Sequence, residues 1–461
     1  MIKLAFHGAA GTVTGSKYLI SVNEQKVLID CGIFQGPRDL RQRNWKPLPF
    51  AASDVSAVVV THAHVDHVGY LPRLKREGFS GKVYATPPTA EIAKICLLDS
   101  AHLQEEDAEY RNKKGLTRHK KALPLFTTED AEAVSRDFES VNFDVWQTIS
   151  RGIRFRYHVA GHILGAASVE VALDDGGRQT SILFSGDVGR YAVPLIIDPT
   201  RPPEVEYVVC ESTYGGHIHP PEDPFFVLAG ILDDVIARES VLLIPAFAVG
   251  RTQQITYMVN TLARQGRIPS LDIHIDSPMA IKAIDIYRKY QDYHHLQLDN
   301  MRRHDSFLGG SNVTLHRKRK SSKALNKLKG PAIIISASGM LAGGRILHHL
   351  LNRLADANTT LALVGFMAQG TLGRKILDGD KLVYIHKTSV DVKARIIKLM
   401  SLSGHADYYE LMHWLEPMTR QPRMVFVTHG EKEESKAMAD HIKQERGWPC
   451  RIPSLDETVE L

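Results

Sequence analysis

The stretch "THAHVDHVGY", residues 61–70, places three histidines and an aspartate within six positions. It directly follows the apolar, β-branched run Val55–Val60, which predicts a buried strand. Side chains two residues apart diverge on a helix, so His62 and His64 can converge only in a loop after that strand. Imidazole and carboxylate groups without thiolates are the ligands of a catalytic zinc centre. The spacing therefore predicts a metal site rather than a polar loop that is merely rich in histidine.

The composition is that of a globular protein. With 461 residues, 43% apolar and 24% charged, the chain has the length of two or three domains. No window approaches the roughly 18 apolar residues that a membrane span needs, and no signal peptide is visible. The four cysteines are scattered without a C-x-x-C pair, which is typical of reduced thiols. We therefore expect a cytoplasmic protein without a membrane partner.

The formal net charge of +5 is unevenly distributed. Between Met301 and Gly330 there are nine Lys or Arg residues and one acid, a net charge of +8, so the rest of the chain sums to −3. A second basic run, "RNKKGLTRHKK", covers residues 111–121. Such runs are often solvated loops, but two of them in a candidate phosphodiesterase also favour nucleic acid as a partner.

Further metal-type residues follow other predicted strands, each beside glycine. They are His162 after "IRFRYHV", Asp187 after "SILF" and His429 after "RMVFV". Each is weak evidence alone, but their shared position is what a ligand set gathered along one sheet edge would show. Asp30 ends the strand "KVLID" and fits the same pattern, as a residue that orients a ligand.

Other histidines lack this context. "HIHP" (217–220) has no Asp-His continuation and runs into proline. His294-His295 and His348-His349 lie in helix-like stretches without acid partners. We interpret all of them as surface or packing histidines.

Several motifs in chain order carry a family resemblance. H-x-H-x-D-H (62–67), "AGHILGA" (160–166), "SGDVGR" (185–190) and "HGE" (429–431) resemble the metallo-β-lactamase superfamily. "ESTYGG" (211–216), "SGHAD" (403–407) and "THGE" (428–431) resemble its β-CASP branch of nucleic-acid-processing enzymes. The resemblance is strongest to the RNA-cleaving members, which are related to the endonuclease subunit of the eukaryotic cleavage and polyadenylation factor and include prokaryotic relatives.

The resemblance implies an α/β fold, a metallo-β-lactamase αββα sandwich with an inserted β-CASP domain built on a parallel sheet. It also implies two Zn²⁺ ions. The first would be bound by His62, His64 and His162, the second by Asp66, His67 and His429, and Asp187 would bridge them. His405 and Glu211 would be catalytic together with Asp66. The histidine at position 429 is typically missing from the members that cut DNA, so its presence favours RNA.

The pattern of predicted strands and helices along the sequence supports such an insertion. Residues 1–209 show short alternating strands and hairpins, which we assign to the first part of the metallo-β-lactamase domain. Residues 210–391 show longer βα units and would form the β-CASP domain. Residues 392–461 would return to the first domain as its C-terminal, RNA-metabolising part.

Three units of the inserted domain share a strand, a glycine-rich turn, an arginine and a helix. The arginines are Arg251, Arg345 and Arg374. Glycines alone can serve tight turns in any parallel sheet. The alternative is that amides at helix N-termini and the arginines bind RNA phosphates, chiefly through Arg345 and Arg374, with hydroxyl contacts from Ser336 and Ser338. The family usually shows "GYQAEGTLGR" where this chain has "GFMAQGTLGR", which alters the fine details of that turn.

We expect these residues to hydrolyse RNA phosphodiester bonds in RNA processing or decay. Two zinc ions sharing a carboxylate supply a hydroxide for in-line attack on phosphorus. The departing ribose 3′ oxygen needs a proton, for which His405 is the natural donor, with Glu211 holding its tautomer. The products would carry a 3′ hydroxyl and a 5′ phosphate.

Three alternatives stay open. A β-CASP nuclease could act on DNA. A small-molecule metallo-hydrolase of the lactonase or glyoxalase kind would share the first-domain ligands, but it needs no inserted domain. A non-catalytic RNA-binding subunit would be expected to have lost ligands, and none is missing here. The sequence does not separate endonuclease from 5′ exonuclease action, and it leaves the oligomeric state open, a homodimer included.

Overall fold

The computed structural model describes residues 1–117, 120–295, 308, 310–341, 343–365, 367, 370–399 and 402–461. Arg118, Arg302 and Arg303 of the predicted basic runs, and Gln369 of the "GFMAQGTLGR" turn, lie outside the described residues. Within the described ranges, no helix is long and apolar enough to cross a membrane. All four cysteines are free thiols, and three of them are buried.

The chain forms two compact units. Unit 1 comprises Met1–Ala192, Ile197–Ile218 and His405–Leu461, and unit 2 comprises Val193–Ile196 and His219–Gly404.

Unit 1 contains two seven-stranded sheets. The first sheet, in spatial order, consists of β22 (Glu457–Glu460), β1 (Ile2–Phe6), β2 (Tyr18–Val22), β3 (Gln25–Ile29), β4 (Val55–Val59), β5 (Lys82–Ala85) and β6 (Phe138–Ser140). The second consists of β21 (Cys450–Arg451), β20 (Met424–Val427), β11 (Tyr207–Cys210), β10 (Gln179–Phe184), β9 (Ala167–Asp174), β8 (Ile153–Val159) and β7 (Gln147–Ser150).

The main core of unit 1 lies between these sheets. Successive side chains of a strand point to opposite faces, so every second residue can enter one core. Val169, Val171 and Leu173 of β9 do so and join Val27 and Ile29 of β3 in one buried cluster. This arrangement is a sandwich of two sheets with a shared apolar layer.

Helices cover the outer faces of the sandwich. The helices of unit 1 are α1 (Arg38–Arg43), α2 (Val65–Val68), α3 (Leu71–Arg76), α4 (Pro87–Lys113), α5 (Thr128–Ser135), α12 (Tyr408–Leu415) and α13 (Lys432–Arg446). Helix α4 packs against β5 and β6 of the first sheet. Leu411 of α12 and Met438 of α13 pack on Val208 and Val425 of the second sheet. The predicted αββα order of layers is confirmed.

Unit 2 is built on a six-stranded sheet in which every pair of neighbours is parallel. Its order is β14 (Val313–Leu315), β13 (Asp272–Ile275), β15 (Ala332–Ser336), β12 (Val241–Pro245), β16 (Thr359–Val364) and β19 (Arg395–Leu399). A hairpin adds β17 (Leu382–Ile385) and β18 (Thr388–Asp391). The described helices of unit 2 are α6 (Pro224–Ala237), α7 (Arg251–Arg264), α8 (Pro278–Lys289), α9 (Arg319–Ala324), α10 (Ile346–Arg353) and α11 (Leu372–Leu377).

The central strands of unit 2 are buried along their whole length. Every residue of β12, β15 and β16 is buried, as expected for a parallel sheet covered on both faces. The expected parallel sheet is therefore confirmed. Strand β19 begins after position 391 and pairs with β16 through Arg395 and Thr360, so unit 2 continues up to Gly404.

Candidate metal centre

Seven metal-type side chains converge in unit 1, and each follows the end of a strand. The loop after β4 and helix α2 supply four of them, and the turns after β8, β10 and β20 supply one each. The residues are His62, His64, Asp66, His67, His162, Asp187 and His429. All are buried or half-buried. The structure thus brings together every residue that the sequence predicts as a metal ligand.

The first ligand-type group consists of His62, His64 and His162, which surround Oδ2 of Asp187. Nδ1 of His64 lies 3.1 Å from Nε2 of His62 and 3.1 Å from Nε2 of His162. Oδ2 of Asp187 lies 3.4 Å from Nε2 of His62 and 3.7 Å from Nε2 of His162. These four side chains present their donor atoms to a common point.

The second ligand-type group consists of Asp66, His67 and His429 and lies beside Oδ1 of Asp187. Nε2 of His67 lies 3.2 Å from Nε2 of His429 and 3.3 Å from Oδ1 of Asp187. Oδ2 of Asp66 lies 3.8 Å from Nε2 of His429. Asp187 therefore turns one carboxylate oxygen to each group, which is the geometry of a bridging carboxylate.

The donor set fits metal ions. Zinc–nitrogen bonds of 2.0–2.1 Å in a tetrahedral site put ligand nitrogens about 3.3 Å apart, close to the observed spacings. Oδ1 of Asp187 is buried and accepts no hydrogen bond from the described residues. Burial raises the pKa of Asp187, but the imidazoles of His429 and His67 outweigh it and hold the pKa well below its usual value. A buried carboxylate kept ionised and without a proton donor is suited to binding a cation.

Two glycines allow the ligand loops to approach each other. A Cβ atom at Gly189 would lie 1.7 Å from the carbonyl oxygen of Gly161, next to His162. A Cβ atom at Gly32 would lie 1.6 Å from the carbonyl oxygen of Asp66. Both distances are far below van der Waals contact, so only glycine permits this packing of backbone on backbone.

Asp30 contacts the side of His67 that faces away from the cluster. Its Oδ2 accepts a hydrogen bond from Nδ1 of His67 at 2.7 Å, and both of its oxygens accept from Thr61 at 2.8 Å. This contact leaves Nε2 of His67 directed at the metal groups. Carboxylates in this position fix the tautomer and orientation of a ligating imidazole.

We predict that Asp30→Asn lowers metal affinity by roughly 10–100-fold, the usual effect of losing such a partner. The amide keeps the shape but no longer carries the charge that holds His67. Titration with zinc, followed by competition with a chromophoric chelator, measures the change. An affinity equal to that of the unaltered protein would show that Asp30 serves only the fold.

His405 stands beside the first metal group with Glu211 behind it. Its Nδ1 lies 3.2 Å from Oε2 of Glu211, and its Nε2 lies 3.8 Å from Oδ2 of Asp187. Glu211 is held by the backbone amide of Val188, at 2.6 Å from Oε1. Asp407 and Glu410 form a capping box at the start of α12, so the N-cap of the helix lies two residues after His405.

The charges around His405 favour its protonated form. Burial lowers the pKa of His405, but the negative charges of Glu211 and Asp187 outweigh burial and raise the pKa to about 9. Bound metal cations would oppose this rise. An imidazolium with Nδ1 on a carboxylate can deliver a proton from Nε2.

Two supporting residues escaped the sequence analysis. Thr61 joins Asp30 to the ligand loop, and the hydroxyl of Thr213 lies 3.2 Å from Nδ1 of His429. Both residues belong to motifs of the sequence analysis, "THAHVDH" and "ESTYGG". Their position in these motifs could therefore have identified them. Hydroxyls beside a ligating imidazole orient its ring as Asp30 does.

The predicted RNA contacts of unit 2 make internal bonds. Arg345 donates to Oδ1 of Asp276 at 2.7 Å and to the carbonyl oxygen of His316 at 2.7 Å. The Ser336 hydroxyl is fully buried and donates to the Asp276 carbonyl at 2.9 Å. Arg374 donates to both oxygens of Asp378 at 2.9 Å. Ser338 lies two residues beyond β15 and is half-buried. This geometry does not favour a phosphate contact by Ser336.

His349 is buried, as a packing histidine would be, but the expectation that it has no acid partner is wrong. His349 has no acid partner near it in the sequence, yet its Nε2 donates to Oδ2 of Asp276 at 2.8 Å. Asp276 follows β13 and His349 lies on α10, so only the tertiary fold brings them together. Its surroundings are those of a buried ion-pair network, which is discussed below.

Comparison with known proteins agrees with this architecture. Three family profiles match the chain: the metallo-beta-lactamase superfamily at residues 10–230, the Beta-Casp domain at 252–376 and the Zn-dependent metallo-hydrolase RNA specificity domain at 389–453. A crystal structure of a protein of unknown function from Enterococcus faecalis V583 aligns over 100% of both chains with a TM-score of 0.55 at 12% identity, which shows the fold alone.

Curated relatives cover the whole chain. Ribonuclease TTHA0252 of Thermus thermophilus is 36% identical over 98% of this chain and 99% of its own length. An RNase J-like protein of Methanocaldococcus jannaschii is 29% identical over 98% of each chain. The transcription termination factor FttA of Methanosarcina mazei is 30% identical over 100% of this chain and 72% of its own length. With the fold and the metal-type cluster described above, these matches show that the chain is a metal-dependent hydrolase that belongs to the β-CASP ribonuclease family of the metallo-β-lactamase superfamily.

Proposed function

We propose that the protein is a zinc-dependent ribonuclease that hydrolyses RNA phosphodiester bonds, as an endonuclease, a 5′ exonuclease or both. The observation that carries the proposal is Asp187, whose two oxygens each face a group of three ligand-type side chains, with His405 alongside. Two metal ions and a positioned proton donor can together hydrolyse a phosphodiester bond.

Two zinc ions are the proposed cofactors. The first ion would be held by His62, His64 and His162. The second would be held by Asp66, His67 and His429, and both would be held by Asp187. Bound there, they supply an activated water for attack and positive charge beside the phosphoryl oxygens. The absence of thiolates among these ligands favours a catalytic over a structural site.

The protein's own residues complete the chemistry. His405 is proposed to donate the proton from Nε2 to the departing ribose 3′ oxygen. Glu211 orients the ring through Nδ1 and stabilises the charged form. Asp66, whose side chain is 18% exposed against 2% for Asp187, is proposed to have a catalytic role in addition to binding metal. The products are then a 3′ hydroxyl and a 5′ phosphate.

RNA is the proposed substrate for two reasons. Relatives that cover this chain throughout are named ribonucleases, and the profile matched at 389–453 is called an RNA specificity domain. We propose that unit 2 is the β-CASP domain predicted at 210–391, between the two parts of the metallo-β-lactamase domain. A small-molecule hydrolase needs no such additional domain. The presence of His429 separates this chain from the DNA-cutting members, as the family resemblance implies.

A digestion of end-labelled, structured RNA tests the proposal. Metal-loaded protein should shorten the RNA, a chelator should stop it, and zinc should restore it. Internal fragments would identify endonuclease action, and 5′ mononucleotides would identify exonuclease action. Matched DNA and a lactone substrate serve as controls. Hydrolysis of the lactone without RNA cleavage would overturn the proposal in favour of a small-molecule hydrolase.

A further inference from the structure

Residues 317–329 of unit 2, here called the basic segment, form a concentrated cationic surface. The segment contains seven Lys or Arg residues and no acid, and all seven are exposed. The residues are Arg317, Lys318, Arg319, Lys320, Lys323, Lys327 and Lys329. Of these seven cations, only Arg317 forms an ion pair with a described residue, and its Nη2 lies 3.7 Å from Oδ2 of Asp285. The positive charge of the segment is therefore largely uncompensated.

Two arginines beneath the segment hold its backbone. Arg345 donates to the carbonyl oxygens of His316 at 2.7 Å and Arg317 at 3.1 Å. Arg353, which is 7% exposed, donates to the carbonyl oxygens of Leu325 at 2.6 Å and Leu328 at 2.9 Å. A guanidinium offers its donors in a rigid fork, so each arginine fixes two carbonyls at once. Both ends of the segment are clamped in this way.

A fully buried carboxylate fastens the middle. Oδ1 of Asp276 accepts from Arg345 at 2.7 Å, and Oδ2 accepts from His349 at 2.8 Å and from Ser322 of α9 at 2.6 Å. Buried charges are costly unless they are paired in this manner. An ordinary solvated loop has no such anchors. These bonds hold in place the backbone that carries the seven cations.

We propose that the basic segment is a preformed surface for RNA phosphates, and that Asp276, Arg345 and Arg353 are its positioning residues. This rests on the proposed function and deepens it by naming where the RNA backbone binds. Closely spaced cations without acids suit a polyanion, and contacts to phosphates are independent of base sequence. Arg345 then acts through the segment, in place of the direct phosphate contact that its sequence context predicts.

The first test neutralises the surface. In the variant with Lys318, Arg319 and Lys320 all changed to Gln, binding of metal-loaded protein to a labelled phosphorothioate RNA, which resists hydrolysis, is measured against salt. Each lost phosphate contact lowers the log–log slope by roughly 0.7, so a drop of up to about 2 is expected. The control changes three exposed lysines elsewhere in unit 2, Lys282, Lys381 and Lys387, to Gln and should keep the slope.

The second test asks whether Arg345 acts through the segment. Arg345→Gln should weaken RNA binding in the unaltered protein and have little further effect when the three cations are already neutralised. Additive losses would instead show a direct contact by Arg345. Because Arg345 is half-buried and holds several groups of the fold, Ser322→Ala provides a milder variant that removes only one hydrogen bond to Asp276. Thermal unfolding of this variant is measured to check that the fold is retained.

The outcomes separate this inference from the proposed function. An unchanged salt slope in the triple variant, with RNA cleavage by the unaltered protein intact, overturns the phosphate-binding surface alone. Failure of the zinc-loaded unaltered protein to cleave any RNA overturns the proposed function. A reduced slope in the control variant as large as in the triple variant would also overturn the inference, since it would mean a diffuse charge effect.

Discussion

Replacing Asp187 by Ala should reduce RNA cleavage to background and lower the bound zinc. Asp187 has one oxygen toward each ligand group, with Oδ2 at 3.4 Å from Nε2 of His62 and Oδ1 at 3.3 Å from Nε2 of His67. Its loss would take away one proposed ligand of each zinc ion and the negative charge that would balance these cations among the buried imidazoles. Elemental analysis and the end-labelled RNA assay measure the two effects on the same preparation.

A matched control distinguishes this from the loss of any buried carboxylate. Glu170 lies on β9, beside β10, and is paired with Arg156 at 2.7 Å and His158 at 2.9 Å. Glu170→Gln should keep the zinc content, since none of these residues belongs to the cluster. Full zinc and full activity in Asp187→Ala would rule out Asp187 as the bridging ligand.

Replacing His405 by Ala should separate chemistry from metal binding. The variant is expected to keep normal zinc content and near-normal RNA affinity, because the two ligand groups stay complete. Turnover should fall by roughly 10²–10⁴, the usual contribution of a positioned proton donor. The rate should recover on a nitrophenyl phosphodiester, whose leaving group needs no proton. Loss of zinc in this variant would instead identify His405 as a residue that supports the metals.

Glu211→Gln should give a milder form of this defect with a pH signature. Because Glu211 raises the pKa of His405, its charge keeps the donor protonated to higher pH, and activity is lost as pH rises through that pKa. Removing the charge lowers the pKa, so the alkaline limb of the rate profile should move to lower pH. A limb that stays in place would assign that ionisation to another group.

The local part of the metal centre was readable from sequence. His62, His64, Asp66 and His67 lie within six residues after one strand, so their convergence needs only a loop and one helical turn. Strand ends beside glycine pointed to His162, Asp187 and His429, which come from distant parts of the chain. The division into ligand groups came from the family resemblance. Residue spacing alone leaves it open.

Other contacts were decided by tertiary packing. The αββα layering and the parallel sheet of unit 2 followed from the predicted elements and the resemblance. The partners of Arg345, Ser336 and His349 did not, because all three bond to Asp276, at least 60 residues away in the chain. A lone aspartate after a short strand gives no sign that it will be buried, and Arg345 looked like an exposed anion contact.

The sequence by itself determined the ligand chemistry, the strand and helix periods and the charge of the basic segment, because these depend on residue type and short spacing. Only the tertiary structure decided which oxygen of Asp187 faces which histidines, that Asp30 lies behind His67, and that internal arginines hold the basic segment. Those features depend on distances between remote segments. Glycine contacts such as Gly189 on Gly161 set those distances, since only the absence of a side chain lets the loops meet.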